Sequence, residues 1–181
     1  LAITFFIISN QIEKQNNEEA SVIYSEWLEE LSNENPNLDN LNTILNQLLE
    51  DYKNTGYTKL ALLSKANMDA KSNEFNQALE NFNILIDLTD GFGGNKIFNK
   101  MARISAARIL LTLDRYEEAL KMIETYSSSG TNGYIHELTG DILVKQNKNN
   151  LAITQYELAA AKYSDQTSKS IISMKIANIG T

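Results

Sequence analysis

The sequence contains no cysteine, a single histidine (His136) and a single proline (Pro36). Without cysteine there can be no disulfide, thiolate metal site or cysteine nucleophile, although the compartment stays open. One histidine cannot assemble a transition-metal ligand set. It also lacks the adjacent nucleophile and orienting group that a catalytic base needs. Packing on a helix is therefore its expected role, and neither a metal, a cofactor nor an enzymatic reaction is expected. The neighbouring carboxylates Glu29/Glu30 and Glu117/Glu118 would point about 100° apart on a helix, so they form no acid–base pair and read as solvated faces. Gly91-Phe92-Gly93-Gly94-Asn95-Lys96 lacks the GxxxxGK[ST] spacing of a phosphate loop and reads as an interhelical loop, with Phe92 at its tip either exposed or tucked inward.

A basic patch is missing too. The net charge is −7, and its distribution is uneven: residues 9–54 carry ten acids and two lysines, whereas the remainder is nearly balanced. Nucleic acid is accordingly excluded as a partner. The acidic first helix suits a basic partner, or simply solubilises the chain beside a membrane.

What is present is helical periodicity. Apolar residues make up 43% of the chain, and the scarcity of proline, glycine and β-branched alternation favours long helices. Ala20, Ile23, Tyr24, Trp27, Leu28 and Leu31 follow three–four spacing in a first helix over about 10–32. Pro36 separates it from a second helix bearing Leu38, Leu41, Ile44, Leu45, Leu48, Leu49 and Tyr52. Thr55-Gly56 reads as that helix's stop signal. Ahead of all this, Leu1–Ile8 is apolar but too short to cross a bilayer, which takes about 20 residues. Residues 1–9 read either as the tail of a truncated transmembrane helix or as an apolar arm that packs on the domain or on a second copy.

From Tyr57 the chain repeats itself. Ala78, Ala119 and Ala152 serve as anchors; twelve residues before each stands Ala66, Ala107 or Gly140, and four after each stands Phe82, Ile123 or Tyr156. Phe75 and Tyr116 precede the first two anchors by three positions, where the third repeat has Asn149. Small residues at such positions let antiparallel helices approach closely. The pattern predicts a helix pair over 10–54, repeats over about 57–90, 97–127 and 133–164, and a capping helix over 166–178, nine helices in all. The loops are expected at 90–95 and at Ser127–Gly133.

GDILVKQNKNNLAITQY (140–156) and AARILLTLDRYEEALKMI (106–123) resemble tetratricopeptide repeats, whose period is about 34 residues. The resemblance implies an all-α fold, a right-handed α-solenoid of helical hairpins closed by a C-terminal capping helix. In such a solenoid the first helix of each pair lines the concave side. By register these are Leu60, Leu63, Ser64, Asn67 and Lys71; then Met101, Ile104, Ser105, Arg108 and Thr112; then Tyr134, Glu137, Leu138, Asp141 and Lys145. From these, Asn67, Lys71, Met101, Arg108, Tyr134, Glu137, Asp141 and Lys145 are the candidate protein-binding residues, a mixed surface suited to an extended or helical peptide. A plainer reading pairs Arg108 with Asp141 as an ion pair of little worth. A clamp for a C-terminal carboxylate would need lysine at Leu63 and arginine at Leu138, and only Asn67 agrees with it.

The whole layout is similar to the ancillary subunit family of the bacterial Sec translocon. The likeness rests on the apolar start leading into an acidic helix with Ala20 and Tyr24, on Lys53-Asn54-Thr55-Gly56-Tyr57, on Phe75/Ala78 and Tyr116/Ala119, and on the ending Met174-Lys175-Ile176-Ala177-Asn178. It implies a periplasmic domain held at the inner membrane by an N-terminal helix. Its implied partners are translocon components, chaperones and emerging secreted chains. The alternative is a soluble cytoplasmic scaffold of the same fold.

Overall fold

A computed structural model describes residues 2–127 and 132–179. Leu1, residues 128–131 and residues 180–181 lie outside the described residues, so most of the expected loop at Ser127–Gly133 does too. Among the described residues there are nine helices and no strand: α1 (Ala2–Ser32), α2 (Leu38–Asp51), α3 (Gly56–Lys71), α4 (Phe75–Thr89), α5 (Lys96–Thr112), α6 (Tyr116–Ser127), α7 (Gly133–Lys145), α8 (Asn149–Lys162) and α9 (Gln166–Ile179). The fold is all-α. The helices fall into two compact units, residues 1–99 and 100–181.

Side chains that accept from the first free N–H groups fix where helices begin. Asn37 accepts from the amides of Asp39 and Asn40 to open α2, Thr55 from Thr58 to open α3, and Asn95 from Ile97 and Phe98 at the start of α5. Asn132 does the same for α7 through Tyr134, and Asp165 for α9 through Ser168. The expected stop at Thr55-Gly56 is corrected here: the pair starts α3 instead, because the Thr55 hydroxyl caps it and Gly56 has no positive φ. Glu30, expected on a solvated face, instead holds the α1–α2 corner. It accepts from the Asn37 amide at 2.7 Å and from Asn40 Nδ2 at 2.7 Å.

The hairpin turns of the three repeats use a different device, the same one each time. Asn73, Asp114 and Asn147 adopt positive φ of 64°, 58° and 60°, each five residues before its alanine anchor. The next residue donates back across the turn, Glu74 to Asp69 O, Arg115 to Leu110 O and Lys148 to Leu143 O, at 2.9, 2.8 and 2.9 Å. This left-handed C-terminal turn satisfies helix-end carbonyls, and Asn and Asp are the non-glycine residues that tolerate it best. Asn147→Val is therefore expected to cost about 1–2 kcal/mol, while Asn147→Gly leaves stability unchanged or higher; urea unfolding of the two variants checks this. Equal losses from both would show that the backbone conformation is not what matters at this position.

In the first unit the core runs through Ala20, Ile23 and Trp27 of α1, Leu41, Ile44, Leu45 and Leu48 of α2, Ala61, Leu62 and Ala66 of α3, and Ala78, Leu79, Phe82, Leu85 and Ile86 of α4. Leu28 and Leu38, expected on the apolar stripes, are about half exposed at 49% and 56%. A buried ion pair crosses this core: Lys65 Nζ lies 2.6 Å from Asp69 Oδ1, and Asn81 of α4 donates to Asp69 Oδ2 at 3.0 Å. The carboxylate thus ties α3 to α4. Beyond α4, Asn99 Nδ2 donates to Ile86 O at 3.1 Å and pins the loop 90–95. Gly94 is required there, since a Cβ would lie 2.2 Å from Thr89 O. Phe92 is fully exposed.

α1 runs unbroken from Ala2, so residues 2–9 are helical and continuous with the first helix. No proline or glycine interrupts them. Phe6, Ile7 and Ile8 are 64%, 54% and 51% exposed, which means they do not pack on the rest of the domain. No helix among the described residues is long and apolar enough to cross a membrane.

In the second unit Ala107 and Ala119 are fully buried, as are Ala66, Ala78 and Ala152 at the other expected crossings. At the third crossing the small residue has a larger neighbour than an alanine. A Cβ on Gly140 would stand 2.5 Å from the ring of Tyr156, so glycine is what lets that ring lie against α7.

Candidate protein-interaction surface

The candidate residues sit on the first helices of the repeats, and their surroundings differ. On α3, Asn67 and Lys71 are exposed; Asn67 Nδ2 donates to Leu63 O of its own helix at 2.8 Å. Lys71 lies in the last turn, where its charge complements the helix dipole. On α5, Met101 is 45% exposed and Arg108 is exposed, with Ile104 and Ser105 half-buried beside them. On α7, Lys145 is exposed and Tyr134 half-buried. Leu138, expected on the open face, is buried at 4% exposure.

Glu137 and Asp141 are the two candidates that the structure brings together, and α9 is what joins them. Lys175 Nζ lies 2.7 Å from Glu137 Oε1 and 2.7 and 2.8 Å from the two Asp141 oxygens. Tyr156 of α8 donates to Asp141 Oδ1 at 2.7 Å, and Tyr163 donates to Glu137. The Lys175 ammonium also stands 5.7 Å from the Tyr156 ring centroid. The Arg108–Asp141 pairing considered from the sequence is replaced by Lys175–Asp141, because α9 delivers an ammonium between the two carboxylates. His136 is buried, with Nδ1 2.9 Å from Gln155 Oε1, which is a packing position.

The cluster shifts the titration of Lys175, Tyr156 and Tyr163. Burial works against the Lys175 charge, but bonds to Asp141 and Glu137 outweigh it and hold the ammonium above its ordinary value. Burial, and then the bond to Asp141, push the Tyr156 phenol far up; burial and the bond to Glu137 do the same for Tyr163. Groups raised on folding contribute stability that is complete below their unfolded values, near 10 for tyrosine and lysine, and lost as pH rises through the folded values. Stability is thus expected to hold up to about pH 10 and then fall. Urea unfolding across pH 8–11 of Tyr156→Phe/Tyr163→Phe is expected to show a shallower alkaline decline than the wild type, and identical slopes would contradict this origin.

Among the described residues no group of three or more His, Cys, Asp or Glu could hold a metal ion. The sequence reading missed Lys175 because its partners lie 34 and 38 residues away. The signal available was a lysine between Ile172 and Ile176, on the apolar side of a short helix.

A family model described as a tetratricopeptide repeat-like domain matches residues 6–181. No curated protein matches the chain. Domains of the matched kind generally mediate protein–protein interaction and are typically non-enzymatic.

Proposed function

Since the chain belongs to the tetratricopeptide repeat-like family, we propose that it is a non-enzymatic protein-interaction module. Specifically, it is a periplasmic adaptor tethered to the bacterial inner membrane, serving the Sec translocon, periplasmic chaperones and emerging secreted chains. The observation that carries the membrane part is the exposure of Phe6, Ile7 and Ile8. Consecutive helical residues point about 100° apart, so these three span roughly 200° of the helix circumference. That is wider than the stripe of roughly 100° that packing on one partner's face needs, and an exposed apolar surface of this width suits lipid. The acidic turns that follow in α1 favour water, and the exposed side chains of α3, α5 and α7 offer the polar and apolar mixture that suits a polypeptide.

Fractionation of cells producing the natural gene product tests the placement. The protein is expected to sediment with the inner membrane, to leave it with detergent but not with high salt, and to become protease-sensitive once the outer membrane is opened. Recovery in the cytosolic fraction would replace this reading with a soluble cytoplasmic scaffold.

A further inference from the structure

α9 docks through an apolar face and through Lys175. Ile172 is its buried residue, packed with Leu143 of α7 and with Ala152, Tyr156 and Ala159 of α8, while Ile176 and Ile179 lie partly buried against the same cluster. Lys175 stands between them and reaches Glu137 and Asp141. Those two carboxylates are four residues apart on α7 and therefore line one face. One ammonium does not neutralise two carboxylates, and the Tyr156 and Tyr163 hydroxyls donate to them without adding charge. The surface under α9 is thus an apolar trough walled on one side by fixed negative charge. α9 answers it with a short pattern: an apolar residue, lysine three positions on, then apolar residues at four and seven.

The hold is modest. The other side of α9 stays open, with Ile171 41% and Met174 58% exposed. A 14-residue helix is marginal by itself in water, so its order depends on docking. A segment tethered by a short linker competes with any incoming ligand at an effective concentration on the order of millimolar.

We propose that the α7–α8 trough is a receptor for a cationic amphipathic helix of another protein, and that α9 is the built-in occupant which such a helix displaces. The excess negative charge of the trough selects lysine or arginine at the central position, and the spacing of Leu143, Ala152, Tyr156 and Ala159 selects apolar residues on either side of it. This rests on the interaction-module reading but needs neither the membrane nor the translocon. Its failure would leave the fractionation result standing, and the reverse also holds.

The test uses the full chain and a fluorescein-labelled peptide of residues 164–179. In the chain variant Lys175→Glu, α9 faces two carboxylates with a third and is expected to exchange amide hydrogens faster, while α7 and α8 stay protected. By fluorescence anisotropy the peptide is expected to bind this variant at least tenfold more tightly than the wild-type chain, whose own α9 fills the trough. A peptide carrying Lys175→Glu is expected to show no such preference, whereas a foreign helix with only the isoleucines and lysine retained at their spacing binds as the natural peptide does. Should Lys175→Glu unfold α7 and α8, Lys175→Met serves in its place, with the same ordering of affinities. Unchanged exchange in α9, equal binding to both chains, or binding indifferent to the peptide's lysine would each overturn the proposal.

Discussion

Gly140→Leu is expected to lower stability by about 3 kcal/mol, a fall of roughly 6–12 °C in melting temperature for a chain of this size. The Cβ position at residue 140 lies 2.5 and 2.6 Å from two ring atoms of Tyr156, far inside contact distance. The ring is held where it is. It is 3% exposed, and its hydroxyl is bound to Asp141, so moving it also loosens the seat of α9. Gly140→Ala introduces a smaller overlap and gains about 1 kcal/mol of helix propensity, so an intermediate loss is expected. Thermal unfolding of the two variants measures the difference. A leucine variant as stable as the wild type would mean that α7 and α8 do not approach as closely as described.

The second large effect lies in the other unit. Trp27 is fully buried in α1, and Trp27→Ala is expected to cost about 3–5 kcal/mol through the cavity it leaves. Trp27 Nε1 has no hydrogen-bond partner among the described residues, and a buried unpaired donor costs about 1–3 kcal/mol. Trp27→Phe removes that donor along with part of the ring area. It is therefore expected to fall much closer to the wild type than Trp27→Ala does. Denaturant unfolding followed by circular dichroism separates the two variants, and similar losses from both would show that the indole N–H is satisfied in solution.

The helices and their repeat spacing were legible because they are local and periodic. Ala78, Ala119 and Ala152 stand at fixed distances from Ala66, Ala107 and Gly140, and burial follows the alanines. The turns were legible in principle: Asn73, Asp114 and Asn147 occupy one offset, and only the left-handed backbone explains why an Asn or Asp recurs there. Other features could not be read from spacing alone. Lys65 and Asp69 are charged, which argues for solvent, yet their pairing and the bond from Asn81 make burial tolerable. Glu30 resembles its neighbour Glu29 in sequence, and only the chain reversal at Asn37 brings donors to it. Two of the eight candidate binding residues, Glu137 and Asp141, carry the composition of an open polar face. Their occupation by Lys175 depends on where α9 docks, a long-range fact that no periodicity encodes.

That division bears on function. Asn67, Lys71, Met101, Arg108, Tyr134 and Lys145 have side chains at least partly exposed, whereas Glu137 and Asp141 are engaged by Lys175. A photo-reactive amino acid placed singly at Met101, Arg108 and Tyr134, and for comparison at the exposed Glu80 of α4 and Glu157 of α8, tests this most directly in cells producing the natural gene product. The expected result is covalent capture of translocon subunits, chaperones or secreted chains from the first-helix positions and little or none from Glu80 and Glu157. Equal capture from both sets, or capture confined to Glu80 and Glu157, would contradict the assignment of binding to the first helices.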